Sequence, residues 1–219
     1  MFDQPSQPKL RHQDRILAAN LTALRADWEA LGCAPQAQAA LTQAGWDAGQ
    51  LAQGLTLCRL ALAAFANREW ARCRLQRAQQ DLEAAQVEAR QVHLEFYLLA
   101  RYLFDSHVAR RALRVYQPPP TELEKFHATA RAGYRAALAN PEFRRRLNRY
   151  GSLSTARATL EALGHAQQAV GAAQAALAQA EERLRFALEQ LRAACASYQA
   201  ALEAADEAEL GLVRQLLPR

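Results

Sequence analysis

The chain has 219 residues, a formal charge of +5 and 51% hydrophobic residues, which is enough material for one domain or two small ones. Fifty residues are Ala, the strongest helix former but one that buries little surface, and the β-branched strand formers are scarce, so strand is not expected. No apolar run reaches the ~18–20 residues of a membrane span, and the start MFDQPSQPKLRHQDR lacks the apolar core of a signal peptide, so a cytoplasmic location is expected.

Breakers divide the chain into few helices. After a segment read as disordered over 1–13, a helix is expected from about Asp14 to Leu31, stopped by Gly32. Pro35 sits where a first helical turn accepts proline, and the short helix it opens ends at Gly45. From Asp47 to Val115 there is no proline, so one helix of up to ~70 residues is expected, about 100 Å at 1.5 Å per residue. The prolines of YQPPP (Tyr116 to Pro120) end it. Thr121 and Glu124 then have the spacing of a capping box for a helix to Ala139. Asn140-Pro141 opens a short helix that Gly151 ends, and Ser152 or Ser154 is placed to cap a final helix reaching about Leu216.

The halves repeat one design. At an offset of 106, Arg25, Trp28, Pro35, Leu41 and Gly45 correspond to Arg131, Tyr134, Pro141, Leu147 and Gly151, so breakers and an aromatic coincide as well as alanines. In the last helix Leu163, Val170, Leu177, Leu184, Leu191, Tyr198, Ala205 and Leu212 recur every seven residues. An alanine stands three places after each of the first seven, and these spacings put both sets on one seam. The first long helix carries its own seam from Leu57 to Leu103, in which Ala64, Ala71, Ala78 and Ala85 are small where the other copy is large. The expected architecture is an all-α, elongated helical bundle of two long Ala/Leu heptad helices with shorter flanking helices and an internal two-fold duplication. Residues 14–116 form the first repeat and 121–216 the second, together one bundle.

Chemistry is thin. Glu124-x-x-His127 has the spacing with which di-iron bundles place two ligands on one helix face, but the chain has no second copy and no metal site is expected. Cys33, Cys58, Cys73 and Cys195 show no C-x-x-C spacing and are expected as small buried thiols. There is no glycine-rich phosphate loop and no nucleophile elbow, so no catalytic residue and no cofactor is assigned. An aromatic group, Phe96, Tyr97, Tyr102, Phe104 and Tyr116, marks a wider core section or a groove for another helix near the end of the first long helix.

Charge is uneven. Between Arg110 and Arg149 ten cations face three carboxylates, while the remainder of the chain is slightly acidic. Arg110, Arg111, Arg114, Arg144, Arg145, Arg146 and Arg149 are therefore the candidate surface for nucleic acid or an anionic partner. The same arginines also fit a helix C-terminus complementing its dipole, or a solvated face.

Paired short helices, an Ala/Gln-rich long helix and the terminal ARRALR (Ala109 to Arg114) resemble a group of uncharacterised bacterial Ala-rich helical proteins with duplicated halves. The resemblance implies an all-helical fold and carries over no site residue. Together these readings lead to the expectation of a non-enzymatic structural or protein-interaction module, partnered by protein, itself or another, through helical surfaces. Binding of nucleic acid or an anionic partner through 110–149 is the alternative, and a metal-dependent helical-bundle enzyme the remote one. No membrane and no small-molecule substrate is expected.

Overall fold

The computed structural model describes residues 11–151 and 153–209, and these form seven α-helices. They are α1 (His12–Gly32), α2 (Pro35–Gln43), α3 (Ala48–Leu103), α4 (His107–Ala112), α5 (Leu123–Ala139), α6 (Pro141–Asn148) and α7 (Leu153–Glu209). The two long helices, α3 and α7, pack antiparallel with the shorter helices beside them. From Leu57 to Leu103 and from Leu163 to Ala205, every residue of both heptad seams is buried or half-buried. Gly164 and Gly171 do not interrupt α7. No helix among the described residues is long and apolar enough to cross a membrane. Of the segment read as disordered over 1–13, residues 1–10 lie outside the described residues, and His12 and Gln13 already belong to α1. The seam residue Leu212, the proposed cap Ser152 and the last helix beyond 209 also lie outside them.

The described residues divide into two compact units, one within 11–74 and 175–209 and the other within 75–174. In the first, α1 and α2 lie on the beginning of α3 and the end of α7. Their core is built from Leu21, Trp28, Leu41, Trp46, Cys58 and Leu191. Trp28 is fully buried, with Trp46 and Tyr198 each 5.9 Å away between ring centroids. Gly54 makes room for it, since a Cβ at that position would stand 2.3 Å from the indole Cζ3. Gly45 ends α2 in the left-handed conformation (φ 86°), and the turn closes when Trp46 N–H donates to Leu41 O at 2.8 Å. The buried pair Leu41 and Trp46 seals that turn. The next helix starts on a reciprocal cap: Gln50 N–H donates to Asp47 Oδ1 at 2.8 Å and Asp47 N–H to Gln50 Oε1 at 2.9 Å.

In the second unit the end of α3, the start of α7 and α4, α5 and α6 enclose Phe96, Phe104, Leu113, Phe126, Tyr134 and Leu147. The ~70-residue helix expected from Asp47 to Val115 is corrected here: α3 is 56 residues, about 84 Å, and stops at Leu103. Phe104 turns inward onto Phe143, with ring centroids 4.9 Å apart, and Asp105 and Ser106, poor helix formers, carry the chain into α4. A second correction concerns the capping box at Thr121 and Glu124. Helix α5 begins one residue later than that box requires, with Glu122 at its N-cap and no side-chain cap. The Thr121 carbonyl instead accepts from Arg90 Nη2 at 2.5 Å, and Pro120 O accepts from Arg90 Nη1 at 3.1 Å. Arg90 also lies over the Phe126 ring, 4.8 Å from its centroid, so one arginine fastens the proline turn to α3.

Candidate functional site

The second unit brings the arginine groups of α4 and α6 to one place, the C-terminal end of α3. The last carbonyls of a helix lack intrahelical donors, and two of the candidate arginines supply them. Arg110 Nε donates to Phe104 O at 2.6 Å and its Nη2 to Arg101 O at 2.9 Å. Arg146 Nη1 donates to Leu103 O at 3.3 Å, and its guanidinium lies 5.4 Å from the Phe104 ring centroid. Arg110 and Arg146 therefore serve the fold.

Arg111, Arg114, Arg144, Arg145 and Arg149 do not. All five are exposed, and none has an ion pair among the described residues. Arg114 takes a left-handed conformation (φ 61°) at the end of α4, where Val115 N–H donates to Arg110 O at 2.9 Å and Arg114 N–H to Arg111 O at 3.2 Å. This is the turn that glycine makes at the end of α2, here with an arginine projecting from it. Val108, Tyr116 and Tyr150 stand exposed on the same stretches of chain. Of the aromatic group singled out in the sequence, Phe96, Tyr97 and Phe104 are core, while Tyr102 and Tyr116 are exposed.

A groove lies between α5 and the start of α7 in the same unit. Two adjoining cavities of about 680 and 740 Å³ share His127, Arg131, Arg135 and Gln168. One end is polar, lined by Glu124, Gln167 and Gln168; the other combines Leu138, Ala139, Leu160 and Gly164 with Arg157, Glu161 and His165. Arg131 and Arg135 have no ion pair or hydrogen bond among the described residues, whereas Arg157 on the opposite wall is 2.8 Å from Glu161. Glu124 and His127 do share this groove, but no three His, Cys, Asp or Glu side chains gather to hold a metal among the described residues.

Behind the groove, the buried His93 and Tyr134 meet, with Nδ1 and the phenol oxygen 3.1 Å apart, among Phe96 and Phe126. Burial holds the His93 imidazole down at about 4 and pushes the Tyr134 phenol up, so both are neutral at pH 7. In the first unit, Asp14 of α1 takes Arg68 Nη2 at 2.5 Å and Arg72 Nη1 at 2.8 Å, and Glu69 joins the same arginines. Burial pushes the Asp14 carboxyl up, but the hydrogen bonds from Arg72 and Arg68 and their charges hold it below the ordinary carboxylate value. This network fastens α1 to α3. Its members stand 54 and 58 residues apart, so sequence spacing gives no sign of it. Of the thiols expected to be buried, Cys58 is, Cys73 and Cys195 are half-buried, and Cys33 is exposed at the end of α1, where no partner element covers it.

The chain matches no known protein family, and comparison with curated proteins and with solved structures finds no match.

Proposed function

We propose that the protein is a non-enzymatic helical interaction module whose contact surface is the arginine-rich end of the second unit, and that its partner is an acidic protein. The observation that carries this reading is the set of five exposed arginines, Arg111, Arg114, Arg144, Arg145 and Arg149, without ion pairs among the described residues, beside the exposed Val108 and Tyr116. Arginine and tyrosine are among the residues enriched in protein-interface hot spots.

We also propose an internal duplication of the chain. Helices α2 and α6 begin at Pro35 and Pro141, α3 and α7 at Ala48 and Leu153, and the matched pairs Trp28/Tyr134 and Leu41/Leu147 are buried. At the positions of Arg144, Arg145 and Arg149 the first copy carries Gln38, Ala39 and Gln43. The same short helix thus forms without these charges, so the fold does not require them.

The exposed Tyr116 and Tyr150 favour a second reading, nucleic acid, because tyrosines beside arginines provide stacking faces for unpaired bases. Titration separates the two. Poly-L-glutamate and single- and double-stranded oligonucleotides are added at about 50 and 200 mM salt to the wild type and to an Arg111/Arg144/Arg145/Arg149→Gln variant. Arg146 is left in place because it caps α3. Binding of the acidic polymer that the variant loses supports the proposal; preferential, steeply salt-dependent binding of oligonucleotide supports the second reading. Equal behaviour of variant and wild type removes both.

A further inference from the structure

The groove between α5 and α7 contains an arrangement that a solvated helix face has no need of. Arg131 and Arg135 stand one turn apart on α5, and like charges at that spacing work against the helix. At the positions 106 residues earlier the first unit carries Arg25 and Glu29, which neutralise each other at 3.4 Å. The second unit has a second guanidinium at the position of that carboxylate, and although Glu124 and Glu161 line the same groove, neither forms an ion pair with Arg131 or Arg135 among the described residues. An anion placed between the two arginines would neutralise them, since guanidinium forks match carboxylate and phosphate oxygens.

The walls limit what that anion carries. Beyond the arginines the groove carries an apolar strip, Leu138 and Ala139 on α5 and Leu160 and Gly164 on α7, bordered on α7 by His165 and by Arg157 and Glu161, which pair with each other at 2.8 Å. Gly164 keeps that end open: a Cβ there would stand 3.6 Å from His127 Nε2, and any longer side chain would extend into the groove. From Arg131 to Ala139 the helix rises about 12 Å, room for one or two fused rings or a chain of about eight carbons. The cavity of about 740 Å³ lies in the range of small-molecule sites, ~300–1,000 Å³. We infer that this groove binds a compact organic anion, its carboxylate or phosphate head held by Arg131 and Arg135 and its apolar body lying against Leu138, Leu160 and Gly164. This site shares no residue with the arginine-rich end and stands or falls separately from it.

The test uses the full chain and 1-anilinonaphthalene-8-sulfonate, an anion with an apolar body whose fluorescence rises on leaving water. The expected result is a rise that octanoate or octyl phosphate reverses and that octyltrimethylammonium or inorganic phosphate does not; the more effective of the first two identifies the head group. An Arg131/Arg135→Gln variant is expected to bind about tenfold or more weakly, the loss of a charge-assisted clamp. Gly164→Leu, which fills the apolar end, should weaken binding similarly, and Arg144/Arg145→Gln should leave it unchanged. Circular dichroism of each variant confirms that the helices persist. No fluorescence rise with the wild type, equal binding by the Arg131/Arg135 variant, or displacement by the ammonium amphiphile as readily as by octanoate would overturn the inference.

Discussion

Replacing Gly54 by alanine tests how tightly the first unit is packed, because the same substitution has opposite expected effects at two glycines. In a helix interior, exchanging Gly for Ala is worth about 0.5–1 kcal/mol of stability. At Gly171 nothing lies within 4 Å of the added methyl, and that gain should appear in full. At Gly54 the methyl would meet Trp28 Cζ3 at 2.3 Å, Cε3 at 2.8 Å and Cη2 at 2.9 Å, where ordinary carbon contacts lie near 3.5–4 Å. The indole cannot retreat, since it is fully buried with Trp46 and Tyr198 beside it. Overpacking of this kind costs about 1–3 kcal/mol, so Gly54→Ala should destabilise by about 1–2 kcal/mol net. Adding Trp28→Phe should recover much of that loss, because the smaller ring vacates the clash. It also removes a buried indole N–H that has no hydrogen-bond partner among the described residues. Urea denaturation of both single variants and the double variant gives the coupling directly. A Gly54→Ala protein as stable as Gly171→Ala would refute the close approach of α1 to α3.

Other expectations follow from single residues. Arg114→Gly should stabilise the protein by about 1 kcal/mol by relieving the left-handed arginine, read as a higher urea midpoint; an unchanged or lower midpoint would count against that turn. His93 is held at about 4 by burial in the fold, below its ordinary 6.5, so between those values the unfolded chain binds more protons and stability falls as pH falls. The loss should total at most about 3 kcal/mol across that window, and His93→Leu should flatten the urea midpoint against pH there. Ala187 is buried and Ala180 half-buried beside a groove lined by Leu60 and Phe186. Ala187 lines the same groove but is the more deeply covered of the two, so leucine at 187 should cost more, about 1–3 kcal/mol, than leucine at 180, and equal thermal shifts would contradict that difference.

What the sequence discloses and what it hides follow from the range of each interaction. Pro35, Pro141 and Gly45 mark helix ends because their effects are confined to a few neighbouring dihedrals, and they fall where α2 and α6 begin and end. The heptads report which face is inward, and their residues are the covered ones. The break after Leu103 was not legible, because Phe104 leaves the helix to meet Phe143, a partner 39 residues away in α6. Arg110 and Arg146 look like their neighbours in a charge count, and only the carbonyls of Arg101, Leu103 and Phe104 distinguish them as caps. The groove was hidden for the same reason: Arg131 and Arg135 lie on one helix and Leu160 and Gly164 on another. One signal was available under the proposed duplication, in which Arg135 stands at the position of Glu29.

Whether the arginines on and just after α4 and α6 that do not cap α3 form a contact surface is read by hydrogen exchange with mass spectrometry on the full chain, with and without poly-L-glutamate at about 50 mM salt. Slowed exchange is expected over residues 107–116 and 141–150, absent in the Arg111/Arg144/Arg145/Arg149→Gln variant and unaccompanied by change over 12–43. Slowing spread evenly along the chain, or the same footprint in the variant, would contradict it.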